Sequence, residues 1–426
     1  MPVSAPSSAD PAEKTARSGV AHTPDSAYAW FRLLISLLIM TIGNAGMWVI
    51  PVVLPVVQAE FHIGRAEAAL PYTLMMIGFG LGGVLMGRLS DRFGLFRPLL
   101  GASLAIGAGF CLAALSQDIT GFALAHGVLI GLVGCAVTFA PLMADTSLWF
   151  ARRRGIAVAV CASGNYLAGA VWPPVMEHFI ATAGWRATYL GVGLFCTCSM
   201  GLLAFLMRQA PPGAAAEAGT ANPGNLRERP FDLLPNTATA ALCVAGLSCC
   251  VAMAMPQVHI VAYCTDLGFG AARGAQMLSI MLACGIVSRL VSGALSDRIG
   301  GIRTLVLGSA LQCTALFLFL PFDGLVPLYI VSAMFGLFQG GIVPSYALVV
   351  RENFSPRQIG VRVGTVIMFT MLGMALGGWM SGKVFDLTGS YHAAFLNGIA
   401  WNLLNLLIAV TLFLRLRRKN LESDPG

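Results

Sequence analysis

Charged residues are scarce in this chain, and their scarcity argues against a soluble globular protein. Asp, Glu, Lys and Arg make up 11% of the 426 residues, whereas soluble domains carry about 25%. Hydrophobic residues make up 57%, and the mean hydropathy is +0.78. The composition therefore predicts an integral membrane protein whose main surroundings are the lipid bilayer. The net charge of +7 follows the membrane topology described below, so we expect no nucleic-acid partner.

The residue groupings that carry enzyme chemistry are also lacking. The sequence has no phosphate-binding loop, no cluster with metal-ligand spacing and no nucleophile beside a base. Its 11 cysteines lie almost wholly in apolar runs, so pairs such as Cys249 and Cys250 are interpreted as small packing residues. The glycine-rich stretch 78–83 lies inside an apolar run, where glycine serves helix packing. We therefore expect no enzyme activity, no cofactor and no metal.

Long apolar runs dominate the rest of the chain. At about 20 residues per span, they predict an all-α membrane protein of twelve transmembrane helices in two six-helix halves. The helices are predicted at 30–57, 68–88, 97–116, 121–147, 155–180 and 187–207, then at 238–264, 273–294, 303–321, 325–349, 361–383 and 392–414. The predicted divisions are a disordered cytoplasmic tail (1–28), an N-terminal half (29–207), a Pro- and Gly-rich cytoplasmic linker (208–236), a C-terminal half (237–415) and a cytoplasmic tail (416–426).

The basic residues indicate the orientation of these helices. Most of the 26 Lys and Arg fall in the termini, the linker and alternate loops. The other loops hold only Arg65, Arg186 and Arg273. Because positive charge collects on the cytoplasmic side, we expect both termini in the cytoplasm.

One short charged sequence occurs twice, roughly 200 residues apart, which predicts two copies of one fold. Residues 87–97 and 293–303 both read G-x-x-x-D-R-x-G-x-x-R. Charged side chains cannot lie in hydrocarbon, so each copy is predicted to form a loop at the water edge, with glycines that permit a tight turn. The shared positions are Gly87, Asp91, Arg92, Gly94 and Arg97, and then Gly293, Asp297, Arg298, Gly300 and Arg303.

This repeated motif resembles the one between helices 2 and 3, and again between helices 8 and 9, of the major facilitator superfamily. The resemblance implies the fold of that superfamily, in which two halves rock about a central cavity. It also implies that the ten motif residues gate the cytoplasmic side. We expect Asp91 and Asp297 to contact helix dipoles and basic residues across the halves when that side is closed.

A second stretch indicates the branch of the superfamily. Residues 149–164, WFARRRGIAVAVCASG, resemble the helix 5 motif of monocarboxylate porters. The helix 1 motif of that family begins with an acidic residue, but here the stretch 43–48 reads GNAGMW and keeps only Trp48. The departure favours the bacterial relatives of the family, which include organic-anion porters and oxalate:formate antiporters. It implies a bacterial inner membrane.

Arg289 is the leading candidate for substrate binding. It lies about 12 Å inside the membrane edge, counted from Asp297 along helix 8, where a charged group costs at least ~2.5 kcal/mol. No Asp or Glu lies mid-membrane in helices 7 to 12, and the repeat places Gly83 at the equivalent position. The fold itself therefore does not need the arginine. The resemblance implies that Arg289 binds a substrate carboxylate, and the alternative is a structural arginine.

The number of cations expected in the site narrows the class of substrate. Oxalate:formate antiporters carry a further cation in the middle of helix 11, whereas residues 368–371 here read MFTM. A single guanidinium matches one carboxylate, which favours a small organic monoanion, with Thr370 or Tyr346 bonding a second polar group. The remaining substrate-binding candidates are Asn44, Trp48, Asn165, Tyr166 and Gln339, each with helix packing as the alternative.

Three titratable residues are candidates for proton coupling. His259 near the outer end of helix 7 and His126 in helix 4 titrate near neutral pH, with a structural polar role as the alternative. Asp145 is expected to pair with one of Arg152, Arg153 and Arg154, or with a loop arginine, as an inner gate.

Together these features predict a monomeric secondary transporter of a small organic monoanion, working by alternating access, with proton coupling left open. A proton-driven exporter of drugs or metabolites is the alternative within the same fold. A membrane sensor that does not transport is the alternative from another class.

Overall fold

The structure is a computed structural model that describes residues 23–209, 230–355 and 358–423. These ranges contain 12 helices long and apolar enough to cross a membrane, and they contain no strand. The twelve-span, all-α prediction is confirmed. We number the helices α1 (Ala27–Phe61), α2 (Arg65–Phe93), α3 (Phe96–Leu115), α4 (Ile119–Trp149), α5 (Arg154–Ala183), α6 (Trp185–Leu206), α7 (Pro235–Asp266), α8 (Ala271–Ile299), α9 (Gly301–Leu318), α10 (Leu325–Asn353), α11 (Ile359–Thr388) and α12 (Tyr391–Ser423).

Most helices are longer than the hydropathy pattern predicts. The repeated motif was expected to form a loop, but Asp91 and Asp297 lie in the last turns of α2 and α8. A hydropathy pattern detects only the apolar part of a helix. Arg, Asp and Ser also adopt helical conformation, so the helix and its backbone hydrogen bonds continue beyond the apolar part. The turns themselves fall at Gly94 (φ 74°) and Gly300 (φ 84°). Both glycines adopt a positive φ that other residues rarely adopt.

The predicted terminal segments lie partly beyond the described ranges. Residues 1–22 of the predicted tail, 210–229 of the predicted linker and 424–426 of the predicted C-terminal tail are outside the described residues. The Ser26 side chain accepts a hydrogen bond from the N–H of Ala29 and caps α1. At the other end, α12 continues through Ser423, well beyond the predicted residue 414.

The two halves repeat the same helix packing. In the N-terminal half α1 packs on α5, α2 on α4 and α3 on α6. In the C-terminal half α7 packs on α11, α8 on α10 and α9 on α12. The halves meet where α2 contacts α11, where α5 contacts α8 and where α1 contacts α7. We call the first two contacts the α2–α11 seam and the α5–α8 seam.

Three of the central helices are interrupted partway through the bundle. α1 is broken at Asn44, α4 at residues 136–139, and α10 at residues 340–341. Pro141 and Pro344 lie just after the breaks in α4 and α10. A proline has no N–H, so the carbonyl four residues before each of them lacks its helical donor. With an even number of spans, residue 23 and the end of α12 lie on one side of the bundle, which we call the terminal side. The opposite side is the far side.

Candidate functional site

Arg289 lies on the α5–α8 seam and contacts both halves. Its Nη1 donates to the carbonyl of Ala162 on α5 at 2.9 Å, and its Nε donates to the carbonyl of Gly340 on α10 at 3.4 Å. The guanidinium carbon lies 4.3 Å from the ring centroid of Tyr166, also on α5. The contacts to this α8 residue come from α5 and α10, at the middle of the bundle.

The partners of Arg289 explain how the chain holds a charge at this depth. Pro344 leaves the Gly340 carbonyl without its helical donor, and the arginine supplies one in its place. Tyr166 adds a cation–π contact. No ion pair to Arg289 is found among the described residues, and two of the five N–H donors of the guanidinium are used by carbonyls. Net positive charge and free donors therefore remain for a ligand.

Small residues make room for the Tyr166 ring beside the arginine. A Cβ added at Gly285, one turn from Arg289, would collide with that ring. At Gly83, the repeat equivalent of Arg289, an added Cβ would meet no atom within 4 Å. The equivalent position in the N-terminal half therefore carries no charge, and the two halves differ at this site.

Trp48 on α1 and Asn165 on α5 form a contact next to the α5–α8 seam. The indole Nε1 of Trp48 donates to both the carbonyl and the side-chain oxygen of Asn165, each at 3.0 Å. Asn165 precedes Tyr166 on α5, so α1 is joined to the helix that carries the ring under Arg289. The indole also packs against Gly169. Of the predicted substrate residues, the structure places Tyr166 against Arg289 and joins Trp48 to Asn165, which is next to Tyr166 on α5.

The other four predicted substrate residues face the interior of their own half. Tyr346 is fully buried and donates to the side-chain oxygen of Asn405 at 2.6 Å. Thr370 is fully buried and donates to the carbonyl of Ile367. In this state neither hydroxyl is exposed to a ligand, so their role in substrate binding stays a prediction.

Gln339 and Asn44 have more open capacity for hydrogen bonding. The Gln339 side-chain oxygen accepts from Gln257 of α7 at 2.9 Å, while its Nε2 has no partner among the described residues. Asn44 at the α1 break donates to Met40 and to Thr138 at the α4 break, and its oxygen likewise has no partner in the described ranges. Both are fully buried. Broken helices and unpaired polar atoms are typical of transporter binding sites, so Gln339 and Asn44 stay candidates.

Charged contacts close the far side between the halves. Arg65 at the start of α2 is paired with Asp266 at the end of α7, and Nη2 lies 3.1 Å from both carboxylate oxygens. Asp386 of α11 accepts from the backbone N–H of Arg65 at 2.7 Å and of Ala66 at 2.9 Å. The Arg65 guanidinium also lies 4.8 Å from the Phe385 ring centroid. We call Arg65, Asp266 and Asp386 the far gate.

His259 lies near this gate and has a partner at each ring nitrogen. Its Nε2 lies 2.8 Å from the carbonyl of Gly378, and its Nδ1 lies 3.5 Å from the hydroxyl of Tyr391. A neutral ring with the proton on Nε2 satisfies both contacts. The residue is fully buried within the C-terminal half. This geometry fits a structural role for His259, and a proton-coupling role for His259 stays a prediction.

His126 is packed inside the N-terminal half. Its Nδ1 lies 2.9 Å from the Phe122 carbonyl, and its Nε2 lies 3.2 Å from the Tyr189 hydroxyl. The rings of Phe122 and Tyr189 pack against it, and Trp185 packs against both of those rings. A proton-coupling role for His126 also stays a prediction.

Asp145 has a different partner from the one expected. Its two oxygens accept from Nη2 and Nε of Arg32 on α1, at 3.0 and 3.1 Å. The Arg32 guanidinium also lies 4.7 Å from the ring centroid of Trp149. The expected partners, Arg152 to Arg154, are exposed at the start of α5. Asp145 faces inward against α1. The rotation of α4 about its axis that places it there cannot be read from the sequence.

Asp91 and Asp297 are exposed on the terminal side. Neither carboxylate forms a hydrogen bond or an ion pair among the described residues. In the part of the chain that the structure describes, each hydrogen bond between the halves lies between the far gate and Arg289. The halves are thus closed together on the far side. The gating role of the motif residues, which applies to closure of the terminal side, stays a prediction.

Sequence reasoning missed four of these charged residues, Arg32, Arg65, Asp266 and Asp386. Arg65 had one signal, since it is among the few cations in the loops assigned to the outside. A search for carboxylates at the ends of α7 and α11 would have supplied its partners. Among the described residues, no group of three or more His, Cys, Asp or Glu is placed to hold a metal ion.

Comparisons with known proteins agree with this architecture. The family model of the Major Facilitator Superfamily matches residues 35–327. Monocarboxylate transporter 13 of Bos taurus is 29% identical over 331 residues, which cover 76% of this chain and 75% of that protein. Monocarboxylate transporter 12 of Mus musculus is 24% identical over 456 residues, covering 97% of this chain and 92% of that protein.

Among solved structures, a bacterial homolog of the human lysosomal transporter Spinster is similar in its inward-facing, unoccupied conformation. The TM-score is 0.68 at 14% identity, covering 92% of this chain and 98% of that chain. This likeness concerns the fold alone.

Proposed function

The chain belongs to the major facilitator superfamily, and from that premise we propose that it is a secondary transporter of a small organic monoanion, in the first place a monocarboxylate. It works by alternating access of a site at the α5–α8 seam. The fold and family are those of membrane transporters, and relatives named monocarboxylate transporters support the substrate class.

One observation carries the proposal above the others. Arg289 holds a positive charge in the middle of the bundle with carbonyls and a tyrosine ring as neighbours, and no carboxylate of the described residues pairs with it. A carboxylate ligand would supply the missing charge and accept two parallel N–H donors. A single guanidinium matches the charge of one carboxylate, which favours a monoanion over a dianion.

The position of Arg289 also supports alternating access. It makes the hydrogen bond between the halves that lies furthest from the far gate. A ligand bound there from the terminal side would compete for the same guanidinium that joins α8 to α5. Substrate binding would therefore act on the seam about which the halves rock.

The distribution of basic residues supports an orientation for the chain. We place the terminal side in the cytoplasm of a bacterium, with the chain in the inner membrane and both termini inside, because cations are concentrated there. With that orientation, the side on which the described residues form no hydrogen bond between the halves faces the cytoplasm. We propose that the transporter acts as a monomer, and proton coupling stays open.

Reconstitution in liposomes tests the proposal. Purified protein should take up a labelled monocarboxylate with saturation, unlabelled monocarboxylates should compete, and dicarboxylates should compete weakly. An inward pH gradient should accelerate uptake if a proton is carried. Flux of cationic or neutral drugs without carboxylate flux would favour an exporter instead, and the absence of any flux would favour a sensor.

A further inference from the structure

A second cavity lies on the α5–α8 seam, on the far side of Arg289. Its volume is about 310 Å³, within the usual range for ligand sites. Its walls are Pro174 of α5, Arg273, Gln276, Ser279 and Ile280 of α8, and Tyr329 of α10. Ile280, the nearest of these to the proposed substrate site along α8, is roughly 14 Å from Arg289. The two sites are therefore separate.

The mouth of this cavity presents hydrogen-bond donors and one positive charge. Arg273 Nη1 donates to the side-chain oxygen of Gln276 at 3.2 Å, and the Tyr329 hydroxyl donates to the same oxygen at 2.6 Å. That oxygen is thereby occupied, which leaves the Gln276 amide N–H groups and most of the guanidinium free. No carboxylate lines the cavity, and Arg273 forms no ion pair in the described ranges. Such a lining favours an anion.

The cavity changes from polar to apolar along the helix axis. Arg273, Gln276 and Ile280 lie on one stripe of α8 at helical spacing, and Arg273 is nearest the far-side end. Ile280 is 38% exposed, and Pro174 forms the facing apolar wall. The stripe runs about 10 Å from the charged end to the apolar end. This order matches a lipid, whose headgroup lies at the membrane surface and whose chains enter the hydrocarbon.

We propose that this cavity binds the headgroup of a net-negative phospholipid from the far-side leaflet. The phosphate lies against Arg273 and the Gln276 amide, and an acyl chain passes Ile280 and Pro174.

The bound lipid contacts both halves and so depends on the state of the transporter. Pro174 belongs to the N-terminal half, whereas α8 and α10 belong to the C-terminal half. At the base of the cavity, Ser279 donates to the carbonyl of Ala170, which lacks its helical donor because of Pro174. Opening of the far side separates these walls. The lipid therefore binds the far-side-closed state in preference and stabilises it.

Thermal unfolding of purified full-length protein in detergent tests the site. Soluble short-chain phosphatidylglycerol should raise the unfolding temperature in a saturable way, and short-chain phosphatidylcholine at equal concentration should raise it less. Arg273→Ala should raise the half-saturating phosphatidylglycerol concentration by about fivefold, the effect of one surface cation on an anionic lipid. Gln276→Glu keeps the size of the side chain but adds a negative charge, so it should weaken the response as well.

Two controls separate this site from general effects. Lys383→Ala removes another exposed far-side cation that does not line the cavity, and its lipid response should equal that of the wild type. Inorganic phosphate should not reproduce the stabilisation. Equal responses to the two lipids, an unchanged response in Arg273→Ala, or full stabilisation by phosphate alone would each overturn the proposal.

Discussion

Replacing Arg289 by lysine separates the role of its charge from the role of its planar shape. In the structure the guanidinium lies on Tyr166 while it donates to carbonyls of two different helices. A lysine ammonium keeps the charge but cannot present two parallel donors to a carboxylate. A hydrogen bond to a charged group contributes about 1.5–3 kcal/mol, so loss of one such bond should weaken substrate binding roughly 10- to 150-fold.

Replacing Arg289 by alanine should abolish substrate binding with little effect on folding. The change removes an insertion cost of at least ~2.5 kcal/mol. It also removes the hydrogen bonds to the Ala162 and Gly340 carbonyls and the contact with Tyr166, and the loss of these contacts offsets that gain. The unfolding temperature should therefore change by no more than about 3 °C.

The measurement is a thermal-shift titration of wild type and both variants with mono- and dicarboxylates. Ser288→Ala is the matched control, because it removes a neighbouring buried hydroxyl that has no partner and leaves Arg289 in place. Its affinity should equal that of the wild type. Ligand stabilisation of the alanine variant equal to that of the wild type would refute the assignment. A wild-type preference for dicarboxylates would refute the single-charge argument separately.

Four further predictions concern other charged groups. Asp386→Asn should weaken the far gate, because the Asp386 carboxylate accepts hydrogen bonds from two backbone N–H groups across the halves. A cysteine-labelling assay should then find a larger population of the far-side-open state, and an unchanged population would contradict the role of Asp386 in the far gate. Asp145→Asn should destabilise the protein by about 3–5 kcal/mol, because it leaves Arg32 buried without its partner; unfolding that matches the wild type would argue against this. If His259 relays a proton, His259→Gln should abolish stimulation of uptake by a pH gradient while exchange continues, and an unchanged pH response would leave His259 a structural role. Asp91→Asn should slow transport while binding persists, since its contacts are predicted for closure of the terminal side; lost binding would count against gating.

The α5–α8 seam shows why the sequence could single out Arg289 as a deep charge but could not predict its surroundings. Depth in the membrane follows from counting residues along one helix, and the cost of a deep charge is the same in any bundle. Gly83 in the repeat showed that the fold does not need an arginine at this level. The ring of Tyr166, the Ala162 carbonyl and the proline-freed Gly340 carbonyl come from two other helices. Their approach to Arg289 depends on helix rotation, which small shifts in packing decide.

The sequence by itself determined the twelve spans and the internal repeat, and it predicted the position of each polar residue along its helix, because hydropathy and spacing act along one chain segment at a time. Tertiary structure alone decided which way those residues face. It buried Tyr346 and Thr370 within the C-terminal half, paired Asp145 with Arg32, and joined Arg65 to Asp266 and Asp386 across the halves. The physical reason is that a nearly all-apolar helix has no strong polar face, so its rotation is fixed only by the neighbours against which it packs.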